Sequence, residues 1–168
     1  MALRAKFEQN YKGVLLKSGR IYSFSYDAFH HDPTPLIVFL YWMEGSHPRT
    51  GNQWRFFQAI NLNYLNRSYR QKFIKDWVTS LYTTQNLKLT WQALIRRFPD
   101  MQFATRRYLY RPASYIKSLR AVELVHVEKE VVGSLYKDYS RQAKIAFWTQ
   151  LRRTQAAMPD ILGGHGKY

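Results

Sequence analysis

Three sets of residues stand out for their chemistry: His30-His31-Asp32, Pro99-Asp100 and a dense run of basic residues from Arg67 to Arg120. Adjacent histidines on an extended chain point to opposite sides, so His30 and His31 need a third ligand from Glu44, His47 or His126 to hold one ion. A polar loop ending at Pro33 accounts for the same residues, and no metal or cofactor is expected. Pro99-Asp100 has the form of the opening of a two-carboxylate nuclease site. No lysine in the chain has an acid two residues before it, however, so the acid-x-Lys half of that motif is missing. His47 and Asn61 are followed by no histidine until His126, which removes a His-Asn-His arrangement. The chain also lacks GxxxxGK[ST], GxGxxG and GxSxG, and it has no cysteine, so phosphate-loop and nucleophilic chemistry have no candidate. No enzymatic activity is expected. A metal-dependent nuclease is the only catalytic alternative worth testing.

The basic run carries more information. Between Arg67 and Arg120, twelve Lys/Arg stand against two acids, Asp76 and Asp100, giving a balance of +10 within a chain of net charge +15. Such a field draws a polyanion or an acidic protein surface. Eight of the twelve are arginine, whose planar fork suits bidentate contact with phosphate or carboxylate. Arg96, Arg97, Arg106, Arg107, Arg111, Lys117 and Arg120 are expected to line a docking groove. Tyr108, Tyr110 and Tyr115 are expected to offer exposed stacking faces beside it. Trp77 and Trp91 fall on helical apolar stripes and are assigned to the core. Charge reversal at Arg106 and Arg107 should then weaken binding without loss of fold.

The elements that must position these residues follow from periodicity. Gly19 to Tyr26 alternates, with Tyr22, Phe24 and Tyr26 on one face of a strand. Leu36 to Met43 is apolar on both faces, as in a central strand, and Glu44 to Asn52 is rich in turn formers. Trp54 to Leu62 completes a three-strand meander. Phe73, Ile74, Trp77, Val78 and Leu81 then recur at helical spacing behind a cap at Asn66 or Ser68. A second helix is expected behind Thr90, with Trp91, Leu94, Ile95 and Phe98 as its stripe, and a third over Gln102 to Tyr110. Leu119 to Val127 returns to strand character, and Glu128 to Tyr139 is ambiguous. Ser140 to Ala157 reads as a last helix with Ala143, Ala146, Phe147 and Leu151 inward and Arg141, Lys144, Arg152 and Arg153 outward. The expected fold class is α+β: one domain over 1–158, built as a small antiparallel sheet or SH3-like partial barrel. A helical insertion over about 66–112, a C-terminal helix and a flexible tail over 159–168 complete it.

Composition supports a packed domain. Hydrophobic residues make up 46% and aromatics 17%, including 13 Tyr, 10 Phe and 5 Trp, enough for a core with aromatic surface to spare. The absence of cysteine excludes disulfides and thiolate metal sites and is compatible with a reducing cytosol. Met1 to Gln9 has no apolar centre and does not read as a secretory signal. The longest apolar run has eight residues, far short of a membrane span, so no membrane contact is expected.

The segments IYSFSY, PLIVFL, INLNYL and SYRQKFI, followed by TRRYLYRP and SYIKSLRAVEL, resemble a group of small basic proteins of large tailed bacteriophages. The likeness runs over about residues 19–127. Asn63 stands where that group often has His. The resemblance implies a virion-associated protein of the baseplate or neck, or one that protects DNA ends, and it carries no catalytic residues. The expected function is therefore a non-enzymatic virion structural or assembly protein of tail, baseplate or neck. Its expected partners are virion proteins with acidic surfaces, within a larger assembly, and its place is the virion, or the host cytoplasm during assembly. The alternative is a protein that binds double-stranded DNA at its ends.

Overall fold

The structure is a computed structural model and describes residues 4–26, 34–46, 49–74, 87–99, 101–109, 116–123 and 139–154. Its first elements were not anticipated from the sequence. Strand β1 (Arg4–Lys6) is followed by a hairpin of β2 (Glu8–Tyr11) and β3 (Val14–Lys17). Tyr11 pairs with Val14 across a two-residue turn in which Lys12 has φ 50° and Gly13 φ 80°. Two left-handed residues in succession are the turn whose twist matches a hairpin, and glycine enters that region without steric cost.

The main sheet is antiparallel. It contains β4 (Ile21–Tyr26), β5 (Leu36–Ser46), β6 (Gln53–Asn61), β7 (Thr105–Leu109) and β8 (Ile116–Val122) in the order β7-β6-β5-β4-β8. Strand β1 pairs with residues 42–44 of β5 and β4 with residues 36–38, so both lie along one side of that long strand. The expected meander is present as β4-β5-β6. Among the described residues the sheet stays open, with β7 and β8 at its two ends and no closed barrel.

Every residue from Leu36 to Met43 is buried, and a β-bulge explains how one strand serves two cores. The register with β6 slips between Phe39 and Tyr41. Before the slip Leu36, Val38 and Leu40 face one core and Ile37 and Phe39 the other; after it Tyr41 and Met43 join the first and Trp42 the second. The extra residue reverses the alternation. Its carbonyl is not wasted, because Ser18 Oγ donates to Leu40 O, while Gly19 N donates to Phe39 O at 2.8 Å. The corner between the hairpin and β4 is thereby fastened to the bulge.

The two sheet faces are covered differently. On one side the β2–β3 hairpin closes an aromatic core in which Tyr11 lies 5.5 Å from Trp42 and 6.1 Å from Phe57. The buried Tyr22 hydroxyl accepts from Lys17 N and donates to Leu15 O, both at 2.8 Å, and burial raises its pKa. On the other side lie a 3₁₀ turn (Leu62–Tyr64), α1 (Arg67–Phe73), α2 (Leu87–Arg97), α3 (Met101–Ala104) and α4 (Ser140–Thr154). Phe73, Ile74, Trp91, Leu94, Phe98, Met101 and Ala143 pack there against β5 and β6. Removing each of the larger aliphatic and phenyl side chains from water contributes about 1.5–3 kcal/mol. Asn66 is the cap of α1, its side chain accepting from Tyr69 N at 2.9 Å.

The structure corrects three expectations. The helix expected over Gln102 to Tyr110 is one helical turn, Met101–Ala104, followed by β7. A lone helix of that length is marginal in water, whereas β6 offers an edge on which Thr105 to Leu109 pairs residue for residue. The second helix begins at Leu87, ahead of Thr90. Strand β5 runs on to Ser46 because Glu44, Gly45 and Ser46 pair with Arg55, Trp54 and Gln53. Trp77, Val78 and Leu81, the segment Glu128 to Asp138 and the tail 159–168 lie outside the described residues, as do His30, His31, Asp32, His47 and His126.

The hairpin turn supplies a test. The space around Gly13 would admit a methyl group, with nothing within 4 Å of it, so the cost of Gly13→Ala is left-handed backbone strain at φ 80°. We expect a loss of about 1–2 kcal/mol in urea unfolding, with Gly13→Asn, which tolerates the left-handed region, losing clearly less.

Candidate functional site

The most organised polar region lies where β6 runs into the helices. Asn61 and Asn63 are buried at the ends of the sequence Asn-Leu-Asn, with Arg70 and Thr105 as further buried polar residues around them. Asn61 Oδ1 accepts from Asn63 N at 2.9 Å, which caps the 3₁₀ turn, and Asn61 Nδ2 donates to the Tyr108 hydroxyl at 3.2 Å. Asn63 Oδ1 accepts from Arg70 Nη1 at 3.2 Å, while its Nδ2 reaches Thr34 O at 3.4 Å. The Asn63 carbonyl accepts from Tyr139 N at 2.7 Å, directly before α4. One short turn therefore ties β6 to the start of β5, to α1, to β7 and to α4. These bonds join the sheet to the helical layer at this point, and buried networks of this kind fix a fold.

The expected docking residues that are described fall on α2, β7 and β8. Arg96 and Arg97 are exposed in the last turn of α2, where cations complement the helix dipole. Arg97 stacks on Phe98 with its guanidinium 5.5 Å from the ring centre. Lys117 and Arg120 are exposed on β8. Strands β7 and β8 stand at the two ends of the strand order. Tyr110, Arg111 and Tyr115 lie outside the described residues.

Two of the expected residues change role. Tyr108 is not an exposed stacking face. It is buried, stacked on Phe57 at 5.0 Å and edge-on to Phe24 at 5.4 Å, because β7 turns this side chain toward the hairpin-covered core. Burial pushes its hydroxyl well above the ordinary tyrosine pKa. Arg106 is not a free docking cation. Its guanidinium donates to Phe103 O at 2.7 Å, Thr105 O at 2.9 Å and Ala143 O at 3.1 Å, and it lies 4.6 Å over the Tyr64 ring. It clamps α3, β7 and α4 together, and the loss of hydration lowers its pKa. Arg107 remains exposed, 5.8 Å over the Phe56 ring.

A cleft of about 230 Å³ opens beside the start of α4. Tyr64, Tyr69 and Phe103 form its aromatic wall, and Ser140, Arg141 and Lys144 its polar rim. The sequence places Arg141 and Lys144 correctly on the outer side of the last helix, but nothing in it brings that helix to the 3₁₀ turn. The contact depends on Tyr139 N bonding Asn63, 76 residues away in sequence. Among the described residues no three of His, Asp and Glu come together, and no helix is long and apolar enough to cross a membrane.

Set against known proteins, the chain matches no family model, no curated protein and no solved structure.

Two outcomes follow from the clamp and the buried tyrosine. Arg106→Met removes three bonds to carbonyls and should lower unfolding free energy by about 2–4 kcal/mol, seen as a lower urea midpoint. A docking residue would leave that midpoint unchanged. Tyr108→Phe leaves an Asn61 donor unanswered and should cost about 1–2 kcal/mol at neutral pH. The raised folded pKa means the native state keeps the Tyr108 proton that the unfolded chain gives up above about pH 10. Wild-type stability should therefore fall as pH rises past that point, and the gap to Tyr108→Phe should narrow. Parallel stability curves up to high pH would contradict this.

Proposed function

We propose that this chain is a non-enzymatic bacteriophage virion structural or assembly protein, of tail, baseplate or neck, that docks on acidic neighbours. The phage assignment rests on the likeness of its IYSFSY, PLIVFL and INLNYL segments to virion-associated proteins. The docking role rests on one observation, the distribution of its cations. With 26 Lys/Arg against 11 Asp/Glu, at least fifteen cations have no carboxylate of their own within the chain. Exposed ones among the described residues are spread over separate elements: Arg4 and Lys6 on β1, Arg55 on β6, Lys72 on α1, Arg96 and Arg97 at the end of α2, Arg107 on β7, Lys117 and Arg120 on β8, and Arg141 and Lys144 on α4.

Dispersal favours a protein surrounded by acidic subunits over a protein lying on duplex DNA, whose phosphates reward cations gathered on one face. Both sheet faces are already closed by the chain's own elements, so recognition falls to surface charge and aromatic edges.

We expect stoichiometric copies of the protein in purified particles, by quantitative mass spectrometry. Binding of the isolated protein to a duplex should be weak, with a log K against log salt slope shallower than the six to ten phosphate contacts of a dedicated DNA binder give. Presence in infected-cell cytoplasm but not in particles, together with tight and steeply salt-dependent duplex binding, would replace this reading with the DNA-end-binding one. Incubation with plasmid and Mg²⁺ or Mn²⁺ should give no cleavage.

A further inference from the structure

Large apolar side chains left exposed among the described residues include two on α4 that are three positions apart: Ile145 at 62% and Trp148 at 44%. Arg141, Ile145 and Trp148 are spaced i, i+4, i+7, so they form one stripe along the helix. The stripe adjoins the cleft beside the start of α4. Phe103, in the cleft wall, lies 5.8 Å from the Trp148 ring and 5.4 Å from Lys144 Nζ. The surface thus combines two apolar anchors, an aromatic-walled depression of about 230 Å³ and two cations on the first turns of a helix that has no acid in its first turn. Charge at the rim around an apolar centre is how protein interfaces are built.

We propose that this face of α4 binds an acidic amphipathic helix of a neighbouring protein, which seats a large apolar side chain in the cleft and sets carboxylates against Arg141 and Lys144. The protein nature of the partner rests on the assembly reading above. The occupant's charge follows from the surface itself. A second copy of this chain would bring Arg141 and Lys144 against an equally basic face, since a two-fold interface repeats one patch on both sides, and the chain carries a net charge of +15. A nucleic acid would meet the cations and stack on Trp148, but Ile145 offers it nothing to bond or stack. Only an acidic helix with apolar residues at i, i+3, i+4 and i+7 uses all of the groups present.

The test is a heteronuclear NMR titration of the full chain with a synthetic acidic amphipathic peptide of about 18 residues, long enough to hold a helix. A control peptide carries Gln at every Glu. Shifts should concentrate on Tyr69, Phe103 and residues 140–148, and the Gln peptide should bind at least about tenfold more weakly. Ile145→Glu and Arg141→Glu should each weaken binding by about tenfold or more at unchanged melting temperature. The second change places an acid in the first turn, where it favours the helix, so its effect is not one of unfolding.

Shifts elsewhere, equal binding of the Gln peptide, or unaltered binding by Ile145→Glu would overturn the proposal. So would a short duplex that displaces the peptide from these residues at matched concentration. A concentration-dependent dimer that Ile145→Glu abolishes would assign the face to a second copy and equally sink it. Incorporation into particles separates this claim from the assembly reading. If wild type and Ile145→Glu enter virions equally, the face is wrong and the assembly role stands; if wild type is absent from virions, the role fails and the titration alone decides the face.

Discussion

The structure depends on one buried turn, Asn61-Leu62-Asn63, more than on any single apolar contact. A sheet and a set of helices can each satisfy their own backbone groups, but the chain that passes between them leaves the ladder of one before entering the ladder of the other. Its polar groups are then buried without partners unless side chains supply them. The two asparagines answer this within three residues. Each offers a donor and an acceptor, and together they engage Tyr108, Thr34 and Arg70 while the Asn63 carbonyl holds the residue before α4. Neither aspartate nor leucine at these positions provides both kinds of bond. Elements distant in sequence meet here, and Tyr64 of the same turn forms part of the wall of the cleft beside α4.

A second constraint is that both faces of a small sheet are buried. Strict alternation assigns each strand residue to one side for its whole length, and two unlike covers make unlike demands along the strand. The bulge in β5 resolves this by reversing sides midway, at the point where the hairpin corner is bonded to it. Strand β8 repeats the device: Ser118 adopts φ 56° where the register with β4 slips, so Ile116 belongs to the hairpin-covered core and Val122 to the helical one. The left-handed residue falls on an exposed serine rather than a buried one.

This also explains what could be read from the sequence. The meander, the cap at Asn66 and the buried Trp91 follow from local patterns, because period and capping chemistry are properties of a few neighbouring residues. Strand β7 was unreadable as such: Thr-Arg-Arg-Tyr-Leu becomes a strand only because β6 has an edge to fill. The roles of Arg106 and Tyr108 are hidden for the same reason. Composition marks an arginine as a surface cation, yet Arg106 is enclosed by carbonyls from three elements that the sequence keeps up to 40 residues apart. Linear density of charge likewise gives no account of direction, and the sheet order sends neighbouring basic segments to opposite ends. The hairpin of β2 and β3 was legible in principle, from Lys12-Gly13 between short runs of alternating residues.

The open sheet has a consequence for colloidal behaviour. Its end strands β7 and β8 carry Arg107 on one side and Lys117 and Arg120 on the other, and β8 is kinked by its bulge. Like-charged, irregular margins discourage the strand-to-strand stacking by which open sheets clump. That protection is electrostatic and reaches only about 8 Å at physiological ionic strength. Crowding under high salt, or neutralisation by a polyanion, strips it away, so the concentration at which this protein stays dispersed is set by its ionic surroundings as much as by its fold.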